Sequence, residues 1–191
     1  MTYRRYQGFT VSPLIILIAA NLLLYIAVII SPEELRIQLG LMPATVNREP
    51  WTLITSIFVH GSFFHLFANM LALFFLGSYL TRLIGNKSFL AVYFGGGLLG
   101  SIFYWTLAPT LSIAVGASGA IFAVGGALAV MLPNLKVLVF PVPVPMPLWV
   151  AIIGGFLVLS LLPFVAWEAH LGGLAFGALA GYLFKSRRRY I

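Results

Sequence analysis

The sequence predicts an all-α membrane protein, a bundle of six transmembrane helices whose first external loop lies in the membrane interface. Three observations predict it. Hydrophobic residues make up 61% of the chain and charged residues 8%, against roughly 25% charged in a soluble domain. So little charge cannot cover a water-facing surface. Six apolar stretches, at 13–30, 62–81, 88–107, 115–132, 148–165 and 169–184, come near the ~20 residues that cross a hydrocarbon core of ~30 Å. Finally, the basic residues segregate when the chain is threaded through a bilayer with its N-terminus inside. Arg4, Arg5, Arg82, Lys87, Lys136, Lys185, Arg187, Arg188 and Arg189 then fall on the inner side, and only Arg36 and Arg48 on the outer, as the positive-inside rule requires.

Each element follows in order. Backbone groups in lipid must be satisfied within their own segment, so the apolar stretches read as helices. The first follows Arg4 and Arg5 like a signal peptide, but it is long for one. Ile29-Ile30-Ser31-Pro32 also offers no small-residue cleavage pattern, so it reads as a retained anchor. Residues 31–61 mix Pro32, Pro43 and Pro50 with Leu39, Leu41, Trp51 and Phe58. That composition suits a loop in the interface, where Trp is at home. The 82–87 connection is short and basic, and 108–114 is short and uncharged. The proline alternation at 141–147 favours an extended linker. One membrane domain over 1–191 accounts for the chain, in a cell membrane (plasma or inner), with both termini cytoplasmic. Topology explains the net charge of +7, so no nucleic-acid partner is implied.

There is no cysteine and no aspartate. Disulfides, thiolate metal sites and cysteine nucleophiles are thereby excluded, and a hydrolytic site would have to work without aspartate. Polar groups inside membrane spans are functional candidates. Here they are His65 and Asn69 in HGSFFHLFANM, Ser118 in GASGAIF and His170 in EAHLGGLAFGALAG. Taken singly, each fits a plainer role: Asn69 as a hydrogen bond between helices, Ser118 as a small packing residue, His170 as an interfacial histidine. Their depth argues jointly. Ser118 lies 15 residues before Pro133, and His170 lies 15 before Lys185. His65 and Asn69 lie 17 and 13 before Arg82. At 1.5 Å per residue this sets all four in one layer, roughly 8–10 Å below the outer surface of a ~30 Å core.

The layer holds a complete set of parts for acyl transfer. Ser118 is a nucleophile if a base takes its proton. His170 is a suitable base and then acid. His65, Asn69 and the Ser118 N–H are donors for a tetrahedral oxyanion, and the start of a helix at Ser118 favours an anion there. His65 and Asn69 share a helix face, since they are four residues apart. Glu168, two residues from His170, does not face it on a helix, which leaves a dyad rather than a triad. Gly173, Gly177 and Gly181 form a stripe of small residues that starts three residues after His170. Gly116, Ala117, Gly119 and Ala120 flank Ser118. Such surfaces let two helix backbones approach closely. Phe122, one turn below Ser118, either supports the imidazole ring or fills the core.

These motifs resemble the rhomboid family of intramembrane serine proteases, in its basic six-span prokaryotic type. HGSFFHLFAN (60–69) matches the family's H-x-x-x-N at His65 and Asn69. GASG (116–119) matches its G-x-S-G, and AHLGGLAFG (169–177) its A-H-x-x-G-x-x-x-G. The resemblance implies cleavage of single-pass membrane proteins in or near their transmembrane segments, by a Ser118–His170 dyad without metal or cofactor. It also implies a lateral gate formed by 148–165 and the cap at 164–168, and a loop-stabilising role for His60. Two departures from the pattern stand out. Trp51 is followed by Thr52 where many relatives have arginine, and Phe122 stands where some have tyrosine. A catalytically inactive membrane-binding relative and a small-solute transporter are the rival readings.

Overall fold

The computed structural model of the chain describes residues 12–30, 32–139 and 142–188. Seven helices and one hairpin make up these residues: α1 (Pro13–Ile30), α2 (Pro32–Leu39), α3 (Thr52–Thr55) with a 3-10 turn (Ser56–Phe58), α4 (Phe63–Leu107), α5 (Ser118–Met131), β1 (Lys136–Val139), β2 (Val142–Pro147), α6 (Leu148–Ser160) and α7 (Trp167–Arg188). The fold is thus mostly helical. α1 and α4 are long and apolar enough to cross a membrane, and α5 and α6 are shorter apolar helices. Many large apolar side chains face outward, among them Leu23, Phe64, Phe75 and Leu179.

The second and third apolar stretches lie on the two arms of α4. A single residue breaks them, Gly85 at φ 80 and ψ 165. A Cβ there would meet nothing, so glycine is required for its backbone and not for space. α4 starts where Ser62 Oγ accepts the His65 N–H at 3.2 Å, an N-cap of the usual chemistry.

α5 lies at the centre, buried along Gly119, Ala120, Ala123, Val124, Ala127 and Leu128. α7 packs on it through the glycine stripe in a four-residue register. A Cβ at Gly173 would collide with the carbonyl of Gly119, one at Gly177 with that of Ala123, and one at Gly181 with that of Ala127. The second arm of α4 closes on the same pair. A Cβ at Gly100 would come within 2.5 Å of the Ala169 carbonyl oxygen, and one at Gly96 would strike the Ala123 methyl. Small residues at matched positions bring three backbones together, as the two small-residue surfaces predict.

Residues 40–58 form a layer over the chain that leads into α5. Leu41 and Ala114 exchange backbone hydrogen bonds of 2.9 Å, and Ala44 N–H donates to Thr110 O. The Trp51 indole N–H donates to Gln38 O at 3.0 Å, and the Thr55 hydroxyl to Leu39 O at 2.8 Å. Thr52 is fully buried and donates to Glu49 O.

The proline-alternating segment differs from the expected extended linker, because β1 and β2 pair antiparallel. The physical reason is the parity of the prolines. Pro143, Pro145 and Pro147 lack N–H groups, so the donors of β2 are Val142, Val144 and Met146. All three point to one side of a strand, the side from which Leu148 N–H reaches Leu135 O at 2.7 Å. The prolines fall on the opposite edge, where they block further pairing.

Candidate active site

Ser118 opens α5, with Ala117 as an N-cap that has no side-chain cap. The first N–H groups of a helix lack intrahelical acceptors, so Ser118 presents its hydroxyl beside free donors and a positive dipole end. The approach is fixed from behind: Gly116 N–H donates to Ser56 O at 2.9 Å, and Ala117 N–H to His60 Nε2 at 3.5 Å.

His170, in the first turns of α7, places Nε2 2.7 Å from Ser118 Oγ. The Gly119–Gly173 contact sets this distance, because it brings the two helices together one residue from Ser118 and three from His170. With the imidazole proton on Nδ1, the Ser118 hydroxyl donates to Nε2. His170 Nδ1 is buried and has no acceptor among the described residues. Phe122 instead holds the ring by packing, with centroids 4.6 Å apart and planes tilted 34°.

His65 and Asn69 reach the same place from α4. The imidazole of His65 lies against Gly116, where a Cβ would come within 2.6 Å of Cε1 and 2.7 Å of Nε2. Gly116 also has φ +124, so space and backbone both demand glycine. The Asn69 amide donates one N–H to His65 O at 2.8 Å, on its own helix, and keeps a second N–H to offer. His60 is buried beside His65, with ring centroids 5.0 Å apart. Burial first, and then the neighbouring His65 charge, pushes its pKa down from 6.5 to about 4, against a weaker upward pull from the Phe58 backbone. It stays neutral, as an acceptor for Ala117 N–H must.

Ser118, His170, His65, Asn69 and Phe122 all line one cavity of about 890 Å³. Gly119, Gly173 and Gly177 are not on its wall; they lie in the helix contact behind it. Ala68, Ala72, Ala151 and Gly155 extend the cavity between α4 and α6, and Phe164 to Glu168 border it. Its lining is predominantly apolar with a few convergent polar groups, the usual character of a ligand site. Among the described residues no cluster of histidine, aspartate or glutamate could hold a metal ion.

A family model for the Rhomboid domain matches residues 47–187. The chain belongs to the rhomboid family. Over 150 residues, 69% of the chain, it is 36% identical to Rhomboid protein 1, mitochondrial, of Saccharomyces cerevisiae. It is 43% identical over 89 residues, 46% of the chain, to Rhomboid protease GluP of Bacillus subtilis. Over 134 residues, 68% of the chain, it is 31% identical to Inactive RHOMBOID-like protein 8 of Arabidopsis thaliana. The matches take in 41%, 17% and 36% of those relatives' own lengths, so this rhomboid chain matches less than half of each. The family comprises membrane proteins and includes proteases.

Two wall residues of this rhomboid escape a sequence reading, Tyr104 and Ser112. The Tyr104 hydroxyl donates to Ser112 Oγ at 2.6 Å, and Ser112 to Pro109 O at 2.6 Å. Neither sits in a motif: Tyr104 stands on the second arm of α4, and the path of 108–114 brings Ser112 to it.

Proposed function

We propose that this chain is an intramembrane serine endopeptidase that cleaves single-pass membrane proteins in or near their transmembrane segments. The observation that carries the proposal is the 2.7 Å approach of His170 Nε2 to Ser118 Oγ in a cavity large enough for a peptide segment. Ser118 Oγ attacks the peptide carbonyl carbon as His170 Nε2 takes its proton. The oxyanion is met by the Ser118 N–H, the second Asn69 N–H and the His65 ring. The imidazolium then gives its proton to the departing nitrogen as the C–N bond breaks. Water, deprotonated by His170, hydrolyses the acyl-serine by the same steps in reverse. No metal or cofactor is needed.

The membrane setting belongs to the same proposal. The chain forms one domain of six spans, with both ends cytoplasmic and the cavity open to the extracytoplasmic side of a cell membrane. The nine-to-two bias of basic residues and the outward-facing apolar side chains support this. A substrate helix enters beside α6 and unwinds locally. Lipid cannot satisfy the backbone so exposed, so helix-weakening residues in the substrate speed cleavage.

A fluorophosphonate should label Ser118 in the full chain, and Ser118→Ala and His170→Ala should abolish both labelling and cleavage. Cleavage by Ser118→Ala at the wild-type rate ends the assignment. Capture of a membrane substrate with neither labelling nor cleavage favours the inactive binding reading. Water access continuous through the bilayer favours transport.

A further inference from the structure

The mechanism leaves one buried ionisable group on the cavity wall unused, Glu168. It is 6% exposed and lines the cavity. Among the described residues it is the only carboxylate there, and no lysine or arginine joins it. Its carboxylate is not among the buried oxygens sealed from the cavity, and the described residues give it no hydrogen bond or ion pair, so it stands free to meet a ligand. The nearby hydroxyls are already committed. Tyr104 donates to Ser112 and Ser112 donates to Pro109 O, so neither has a proton left to give. Nor does it orient the base, since His170 Nδ1 is without a partner among the described residues and side chains two apart on a helix do not meet. Its place in the first turn of α7 eases the charge through the helix dipole, but leaves most of its acceptor capacity open.

We infer that Glu168 selects a cationic side chain, lysine or arginine, beside the scissile bond of the substrate. The inference rests on the protease reading. Glu168 and His170 are two residues apart on α7 and point to different faces, so their tips are separated by up to the width of a helix, roughly 10 Å. An extended substrate advances about 3.3 Å per residue, so the selected residue falls within about three positions of the bond cut. In the mostly apolar cavity the pair is screened less than on an exposed surface. An acidic residue at the same position meets a like charge.

The test uses the full chain in liposomes and matched single-pass substrates that differ only by lysine, glutamine or glutamate at each position within three of the cleaved bond. At one position the wild type should cut the lysine substrate about tenfold faster, by kcat/KM, than the glutamate one. Glu168→Gln should bring that ratio near unity, and Glu168→Lys should invert it. The ratio is internal to each variant, so a change in overall rate cancels. A purely structural role for Glu168 predicts no inversion. Fluorophosphonate labelling of each variant reports whether its dyad is assembled. Labelled variants whose lysine-to-glutamate ratio stays within twofold of wild type overturn this inference alone. Absence of labelling and of all cleavage in the wild type overturns the proposed function, and this inference with it.

Discussion

α5 and α6 are written in nearly the same alphabet, apolar residues with paired glycines, yet they occupy opposite ends of the packing range. In α5 ten residues are buried, from Gly119 to Met131; in α6 only Leu148 is. The glycines show why. Gly126 on α5 faces the Leu174 carbonyl, and on α7 Gly173, Gly177 and Gly181 face backbone. A Cβ at Gly154 or Gly155 on α6 meets nothing within 4 Å. Glycine in the first setting is a spacer that fixes a distance; in the second it confers helix weakness without packing. The molecule thus joins a tight seam, which sets the Ser118–His170 distance, to a loose wall that borders the same cavity.

Four substitutions or conditions would break or sharpen this contrast. The largest effect is expected of Gly173→Val, whose branched side chain must enter the Gly119 backbone. Loss of fluorophosphonate labelling and a destabilisation of about 3 kcal/mol or more are expected, read by thermal unfolding in detergent. A Gly173→Val protein as stable and reactive as wild type would show that the seam does not set the dyad. Gly116→Ala comes next. It combines backbone strain of about 1–3 kcal/mol with displacement of the His65 ring. Labelling should survive better than turnover, because the Ser118–His170 contact is intact while the His65 ring, proposed to meet the oxyanion, has moved.

The third expectation concerns pH. His60 has a folded pKa of about 4 against 6.5 ordinarily. Between those values the unfolded chain binds the extra proton, so stability is full above about pH 6.5 and is lost as pH falls towards 4. The loss is about 1.4 kcal/mol for each pH unit across that window. Unfolding midpoints at pH 7.5 and 5 should separate accordingly in wild type and converge in His60→Gln. An equal slope in both proteins would remove His60 as its source. The smallest effect is expected of Gly154→Ala, which fills open space and raises helix propensity by up to about 1 kcal/mol. Its melting temperature should match or slightly exceed that of wild type; a clear loss would mean that the wall is packed after all.

Much of the site was legible because its chemistry is written in residue types that lipid makes costly. Ser118, His170, His65 and Asn69 stand out from an apolar background, and the glycine stripe announces a close helix contact. The hairpin at β1 and β2 was not legible as such. Proline alternation shows that the segment is extended, but pairing depends on which parity meets the neighbouring strand. Asn69 illustrates the same limit: its spacing from His65 places it on the right face, but that one of its N–H groups returns to the His65 carbonyl is a matter of rotamer. Tyr104, Ser112 and the isolation of Glu168 were equally hidden.

By itself the sequence determined that the chain is mostly helical, that polar groups stand on separate apolar helices, and which surfaces are small enough to touch. Period, length and side-chain size are local properties, and they survive in a string of letters. Tertiary structure alone decided that Nε2 and Oγ meet at 2.7 Å, that His170 Nδ1 has no acid behind it among the described residues, and that α6 stands away from the core. Those facts depend on how three helices rotate and slide against one another. Sub-ångström differences there come from the whole packed seam, and no single motif carries them.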